Sequence, residues 1–167
     1  MQFQRFEDRF QDALIKLHRS ALTGITHGIK QEDEEHDLRT IEGSYFEPGG
    51  EFLIGFEAGR LVAMGGYFPT EHDTAELKRM RVAPDCQGKG SGSALLLTLE
   101  ASAMARGIRR LTLETAAIRP KTLAFYRKHA YVETGKGSYG SQPTIHFAGT
   151  SCLDVDTQTC RPIIGRG

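Results

Sequence analysis

The segment from Val82 to Gly92 (VAPDCQGKGSG) constrains the fold more than any other part of the chain. A strand-like run ends at Val82, three glycines follow, and an apolar stripe at helical spacing then begins at Leu95. Backbone N–H groups at the start of a helix have no intrahelical partner and lie at the positive end of the helix dipole. Glycines allow a ligand to approach such groups closely. The segment therefore predicts an anion-binding loop of the kind that holds phosphates.

Two common phosphate-binding motifs do not fit this loop. A nucleotide P-loop needs GxxxxGK[ST], but Ala83 stands at the first glycine position and Gly90 replaces the Ser or Thr that would bind magnesium. A dinucleotide fingerprint needs GxGxxG/A, which ends on Ser93 when it starts at Gly88 and on Leu95 when it starts at Gly90. Neither nucleotide class is predicted.

Hydrophobic periodicity predicts alternating helices and strands around one core. The predicted strands are Phe3–Phe6, Phe52–Phe56, Leu61–Phe68, Ala75–Val82, Leu111–Thr115, Tyr131–Thr134 and part of Thr144–Val155. The predicted helices run from Asp8 to Leu22, over Gln31–Ile41, from the glycine loop to a stop at Gly107, and from Pro120 onward.

The helix from Pro120 is predicted to place Leu123, Tyr126 and Ala130 on one face, so that Tyr126 points inward. A turn at Glu57–Arg60 should join two strands as a hairpin. The tail from Thr157 to Gly167 has little apolar content, and we expect it to be poorly ordered.

The chain has 167 residues, a length that favours a single domain over residues 1–167. Its composition, with 25% charged and 39% hydrophobic residues, is ordinary for a globular protein. Lys plus Arg and Asp plus Glu each total 21, so no overall positive field is available to hold nucleic acid or an anionic membrane. The longest apolar run, Ala94–Leu97, is too short to span a bilayer, and the N-terminus lacks the apolar stretch of a signal peptide. We therefore expect a cytoplasmic location.

The cysteines and histidines do not form a metal-binding pattern. Cys86, Cys152 and Cys160 lack CxxC spacing and are odd in number, so free thiols are expected instead of disulfides or a zinc site. No HxxxH pair occurs. The acidic run Glu32–His36 is typical of a solvated helix face, and a metal site there is the alternative interpretation. We expect no metal.

A third phosphate-binding motif, (Q/R)xxGx(G/A), fits without exception as Gln87, Gly90 and Gly92. With this motif the chain resembles the GNAT N-acetyltransferases. The resemblance extends over Ala75–Leu97 and over Leu111–Gly135, which look like the family's fourth strand, pyrophosphate loop and helix, and its next strand, helix and strand. It implies an α/β (α+β) GNAT fold. Such a fold has a central mixed, mostly antiparallel sheet of about seven strands, flanked by about four helices and splayed between strands 4 and 5.

The resemblance implies acetyl-coenzyme A as cosubstrate and indicates which residues would hold it. Backbone groups of Met80, Arg81 and Val82 would bind the pantetheine arm. The pyrophosphate would accept hydrogen bonds from the loop amides, with added charge from Lys89. The loop residues concerned are Gln87, Gly88, Lys89, Gly90, Ser91 and Gly92.

The resemblance also aligns Tyr126 with the family tyrosine that hydrogen-bonds the coenzyme A sulfur and can protonate the departing thiolate. A purely packing role in the core would fit its helical spacing equally well. Two positions depart from the family pattern: Arg119 stands where many members carry Asn, and Ala130 replaces the glycine of a usual Gly-Phe pair.

A general base is useful because an alkyl ammonium, with a pKa near ~10.4, is not nucleophilic. Glu76 is the first candidate, but it could equally form a surface ion pair with Lys78 on the same strand face. Glu114 is the second candidate. The Val82 N–H would be the oxyanion donor, and Cys86 is a lesser candidate for nucleophilic catalysis.

Three functions follow from these features. The first is an enzyme that acetylates an amine of a small molecule or amino acid by direct attack in a ternary complex. The second is an acyl-coenzyme A sensor without turnover, and the third is a protein N-terminal or lysine acetyltransferase. The acidic segment Glu32–Asp37 could attract a cationic amine. The resemblance also makes a homodimer a candidate assembly.

Overall fold

The computed structural model describes residues 1–22 and 31–150, with only the backbone described for residues 31–34 and 150. The predicted tail 157–167, Cys152 and Cys160 lie outside the described residues. The helices are α1 (Gln11–Ala21), α2 (Gln31–Arg39), α3 (Ser91–Ala105) and α4 (Pro120–Lys128). The strands are β1 (Gln2–Arg5), β2 (Glu51–Glu57), β3 (Arg60–Glu71), β4 (Thr74–Val82), β5 (Arg110–Ala116), β6 (Val132–Tyr139) and β7 (Gln142–Thr150). Short 3-10 turns cover 8–10 and 84–86, and a π-helical turn covers 42–46.

The seven strands form one sheet in the order β1-β2-β3-β4-β5-β7-β6. Every neighbouring pair is antiparallel except β4 and β5, which run parallel because α3 crosses over between them. The predicted mixed, mostly antiparallel sheet with about four flanking helices is therefore confirmed. The predicted turn between β2 and β3 is a tight one, in which Ala58 and Gly59 have φ angles of 49° and 77°.

Apolar side chains are buried on both faces of the sheet. One core lies under α3 and α4 and includes Leu95, Leu99, Leu111 and Phe147. The other lies under α1, α2 and the π-helical turn, and includes Leu14, Leu38, Tyr45, Phe52 and Ile54. The sheet is therefore the central layer between two sets of helices. Among the described residues, none of the helices is both long and apolar enough to cross a membrane.

The sheet opens between β4 and β5, as predicted. These strands are paired at only three positions, Thr74 with Arg110, Ala75 with Leu111, and Glu76 with Thr112. Beyond Glu76, β4 has no β5 partner, and four of its six remaining residues pair with β3: Leu77, Lys78, Arg81 and Val82. The two strands therefore diverge toward their carboxyl ends, and the gap between them can accept a ligand.

The prediction that Ala130 continues the inner face of α4 is wrong. The helix ends at Lys128, and Ala130 is exposed with a left-handed φ of 61°. The Tyr131 N–H donates to the Tyr126 carbonyl at 3.1 Å and closes the helix end. This position of a helix cap favours glycine, which explains the glycine that the resemblance leads one to expect here. The strand predicted over Tyr131–Thr134 is longer in the structure, where β6 runs over Val132–Tyr139 and includes Gly135 and Gly137.

Candidate functional site

A cleft of about 860 Å³ occupies the opening between β4 and β5. β4 lines one wall with residues 76–82, and β5 lines the other with residues 113–116. The remaining lining comes from the start of α4, Tyr126, Gln87 of the glycine loop, Ala21 at the end of α1, and Tyr139, Gln142 and Thr144 of β6 and β7. The structure thus brings together the β4 residues, Gln87 and Tyr126 that the sequence singled out. Glu76 and Glu114 lie on the same sheet face, since Glu76 pairs with Thr112, two residues before Glu114.

The first N–H groups of α3, directly after the glycine loop, have no hydrogen-bond partner within the helix. Gly90 is the N-cap residue with φ 90°, and no side chain caps the helix. The first intrahelical bond runs from Ala94 N to Gly90 O at 3.0 Å, so the N–H groups of Ser91 and Gly92 precede the helical hydrogen-bond pattern. Gly88 has φ 74°, and a Cβ at Gly88 or Gly90 would meet no atom within 4 Å. The loop surface is therefore open to a ligand.

Side chains on either side of the loop hold its shape. Gln87 Nε2 donates to the Val82 carbonyl at 3.0 Å, which closes the loop on the end of β4. Arg60, at the β2–β3 hairpin, forms an ion pair with Asp85 at 2.5 Å. A glutamine at the first motif position therefore has a geometric function, and the loop is anchored before a ligand arrives.

Cys86 is buried beside the loop and packs in the core under α1. Burial raises the pKa of its thiol, and the hydrogen bond to Glu57 and the charge of Asp85 raise it further. A thiol held protonated is a poor nucleophile. The geometry therefore opposes covalent catalysis through Cys86.

Tyr126 lies on the inner face of α4 and is 5% exposed. Its ring packs against Phe125, Tyr131 and Phe147 at centroid distances of 5.2, 5.6 and 6.0 Å. Burial raises the pKa of the phenol to about 12, and the nearby positive charge of Arg81 acts in the opposite direction. The phenol is therefore a protonated hydrogen-bond donor at neutral pH, at the wall of the cleft.

The two candidate bases have different neighbours. Glu76 lies 3.5 Å from the Lys78 ammonium, and its side chain is 28% exposed. The surface ion pair weighed as an alternative is thus present, although both residues line the cleft. Glu114 accepts a hydrogen bond from Thr144 at 2.5 Å and lies 3.6 Å from His146 Nε2.

Sequence reasoning missed a charged cluster behind β4. Arg79 donates from Nε and Nη2 to the two carboxylate oxygens of Asp37 in α2, and the Tyr45 hydroxyl donates to the same carboxylate. Burial would raise the pKa of Asp37, but these hydrogen bonds and the charge of Arg79 hold it below its ordinary value. His18 is 1% exposed, and burial together with the charges of Arg81 and Arg79 lowers its pKa to about 4. Part of this arrangement could have been predicted from the sequence of β4, in which the alternation of apolar and polar residues is broken.

The described carboxylates of the acidic segment already have arginine partners. Glu35 is 1% exposed and binds Arg19 at 2.7 Å and Arg39 at 2.9 Å. The Arg19 hydrogen bond is the main reason why the pKa of Glu35 is lowered. Asp37 is bound to Arg79. These two carboxylates stabilise α2 and are not available to a cationic acceptor. Across the described side chains, no three His, Cys, Asp or Glu groups are arranged to hold a metal ion.

Comparison with known proteins identifies the same architecture. The family described as "Acetyltransferase (GNAT) family" matches residues 12–131. This range includes α1 to α4, the glycine loop and both walls of the cleft up to the end of β5.

Solved structures with this fold cover most of the chain at low sequence identity. A GNAT-family acetyltransferase from Staphylococcus aureus Mu50 superimposes with a TM-score of 0.81 at 18% identity, covering 89% of this chain and 98% of its own. An aminoglycoside 6'-N-acetyltransferase complexed with coenzyme A gives 0.74 at 19% identity, covering 93% and 100%. The Escherichia coli ribosomal-protein-S18-alanine N-acetyltransferase gives 0.71 at 20% identity, covering 90% and 93%.

Proposed function

Because the chain belongs to the GNAT family of acetyltransferases, we propose that it binds acetyl-coenzyme A in the cleft and acetylates a primary amine. The acceptor would be a small molecule or an amino acid, and attack would occur directly in a ternary complex. One observation carries the proposal: Gln87 of the glycine loop and the buried phenol of Tyr126 line one cleft between separated strands, and the loop leads into the uncapped start of α3.

Cofactor binding would follow the cleft from the glycine loop inward. The amides from Gln87 to Gly92 would donate to the pyrophosphate, since they lie at the positive end of α3 and the loop residues Gln87 to Gly90 are exposed. Backbone groups of Met80, Arg81 and Val82 would bind the pantetheine arm, because β4 has no β5 partner there. Lys89 is exposed beside the loop and would add positive charge.

The chemistry requires that one proton leaves the amine and one reaches the sulfur. The neutral amine attacks the thioester carbonyl carbon, a C–N bond forms, and the C–S bond breaks. Glu76 would accept the nitrogen proton, directly or through a water molecule. The Val82 N–H would stabilise the tetrahedral oxyanion. The products are an N-acetyl amide and a thiol, whose proton balances the one removed from the amine.

Tyr126 would act at the sulfur. Its raised pKa keeps the phenol protonated, so the O–H can donate a hydrogen bond to the sulfur as negative charge develops there. The apolar rings around it exclude water and strengthen this bond. Tyr126 would therefore lower the barrier to thiolate departure and then supply the sulfur's proton, which solvent restores.

The proposal is tested by free-thiol detection after the protein is mixed with acetyl-coenzyme A and a panel of amines. The panel contains amino acids, polyamines, an aminoglycoside and a peptide with an N-terminal alanine. Thiol release with a small amine supports the proposal. Release with the peptide alone would replace it by a protein acetyltransferase, and tight binding of coenzyme A without release on any acceptor would indicate a sensor.

The two candidate bases are separated by the matched variants Glu76→Gln and Glu114→Gln, each of which removes a charge and keeps the side-chain shape. A loss of about 100-fold or more in kcat/KM in Glu76→Gln alone would assign the base to Glu76. The same loss in Glu114→Gln alone would transfer the role to Glu114, whose carboxylate is held by Thr144.

A further inference from the structure

Strand β4 contains one residue more than its partner β3 at the point where the cleft begins. Lys78 pairs with Gly66 and Arg81 pairs with Met64, so three steps along β4 match two steps along β3. Arg79, in this bulge, has a left-handed φ of 59°. Glycine is the usual residue at such a bulge position, because a side chain is strained there.

The guanidinium of Arg79 is held in place by α2. Its Nη2 donates to Asp37 Oδ1 at 2.7 Å and its Nε donates to Oδ2 at 3.0 Å. The Tyr45 hydroxyl donates to the same Oδ2 at 2.5 Å. Both side chains of the ion pair are mostly buried, at 20% and 23% exposure. A two-point ion pair of this kind fixes direction as well as distance. It can therefore hold Arg79 in a conformation that the residue would not adopt alone.

The bulge decides which way the following residues of β4 face. Leu77 and Met80 both pack into the core under α3, although residues three apart in a regular strand point to opposite faces. Without the extra residue, Met80 would share the face of Glu76 and Lys78. The bulge lies three residues beyond the last pair with β5. It therefore sets the direction of Met80–Val82, the stretch proposed to bind the pantetheine arm.

We infer that Asp37 and Arg79 are positioning residues: their ion pair holds the β4 bulge in its left-handed form and so presents the backbone of Met80–Val82 to the cofactor. The inference rests on the proposed function for the identity of the ligand. It couples α2, on the far side of the sheet from α3, to the wall of the cleft. Arg79 lines the cleft, but its guanidinium is bound to Asp37, so neither residue needs to contact the cofactor.

The test compares two double variants that differ by one methyl group, Arg79→Gly with Asp37→Asn and Arg79→Ala with Asp37→Asn. Both variants lack the ion pair, and in both the asparagine side-chain oxygen can still accept a hydrogen bond from the Tyr45 hydroxyl. Glycine adopts the left-handed conformation freely, whereas alanine does not. The dissociation constant of coenzyme A is measured by calorimetry, and the melting temperature of each variant is recorded separately.

We expect the glycine variant to bind coenzyme A close to the wild-type affinity. The alanine variant should bind about tenfold more weakly, because a non-glycine residue must adopt the unfavourable left-handed conformation before the cofactor can bind. A purely stabilising ion pair would lower both melting temperatures without separating the two affinities. Equal affinities in the two variants would therefore overturn the inference, whether both match the wild type or both are weak.

The single variant Asp37→Asn provides the same comparison if the alanine variant does not fold. It retains Arg79 without its carboxylate, and we expect weaker coenzyme A binding than in the glycine double variant. Equal or tighter binding would contradict the inference. Failure of the wild-type protein to bind coenzyme A would instead remove the proposed function, so the two failures are distinguishable.

Discussion

Tyr126 is deeply buried and also lines the cleft. Among the described residues its hydroxyl has no side-chain hydrogen-bond partner, whereas the Tyr131 hydroxyl donates to Glu100 at 2.9 Å. We expect Tyr126→Phe to slow acetyl transfer by about 100-fold, the usual contribution of a positioned proton donor. Coenzyme A affinity and stability should change little, since the ring is retained.

The matched control is Tyr131→Phe, which removes a hydroxyl from a ring that touches Tyr126. This variant should lose some stability and keep its rate. Single-turnover kinetics with saturating acetyl-coenzyme A measure the chemical step. A Tyr126→Phe variant as fast as the wild type would leave Tyr126 only the packing role.

The second prediction for a single residue concerns His18 and the pH dependence of the free energy of unfolding. Its pKa is about 4 in the folded protein against an ordinary histidine pKa of 6.5, so the unfolded chain binds a proton first as the pH falls. The free energy of unfolding should therefore decrease as the pH is lowered from about 6.5 to about 4. The full loss is on the order of 3 kcal/mol.

Urea unfolding of the wild type and of His18→Gln, at a pH above this window and at one inside it, isolates the contribution. The variant should lose less stability on acidification, because Glu35, Asp37 and the other carboxylates are common to both proteins. Parallel pH dependence in the two proteins would show that the imidazole is not held neutral by burial.

The glycine loop and α3 act as one element. Gly90→Val forces a side chain into a backbone with φ 90° at the N-cap of α3, next to the amides proposed to bind the pyrophosphate. We expect a stability loss of about 1–2 kcal/mol, together with loss of coenzyme A binding. Both effects follow from the same left-handed conformation.

Gly59→Val provides the matched control, because Gly59 also has a left-handed φ, 77°, and open space around its Cβ position. It lies in the β2–β3 turn and does not line the cleft. It should reproduce the stability loss and leave coenzyme A affinity unchanged. Unfolding curves and calorimetric titrations separate the two effects, and intact binding by Gly90→Val would contradict the role of the loop.

At the scale of the whole molecule, one sheet carries both cores, and we predict that the chain unfolds as a single domain. Leu99→Ala in the core under α3 and Leu14→Ala in the core under α1 should each cost about 2–5 kcal/mol. Because the two cores share the strands between them, both variants should shift the same transition in scanning calorimetry. A second, independent transition affected by one variant alone would indicate two units.

The sequence was most informative where the structural cause is local. The strands, the helices, the β2–β3 turn and the loop at Gly88–Gly92 depend on side-chain period and on glycine, both of which act within a few residues. Ala130 was misplaced because α4 ends by a backbone bond from Tyr131 to Tyr126, which a helical pattern does not reveal. The role of Tyr126 and the choice of base stay predictions.

The break in alternation between Leu77 and Met80 was visible in the printed sequence and indicates a bulge, but the residue that stabilises it was not visible. Asp37 lies 42 positions away from Arg79 and meets it only because α2 packs behind β4. The same holds for the neutral state of His18, which depends on burial and on charges from β4. Periodicity and glycine placement therefore determined the elements, and the family resemblance was carried by the motif at Gln87, Gly90 and Gly92 and by the segments Ala75–Leu97 and Leu111–Gly135. The pairing of charges and the direction of the cleft wall were decided by tertiary structure, because ion pairs and burial depend on distance in space and not on distance along the chain.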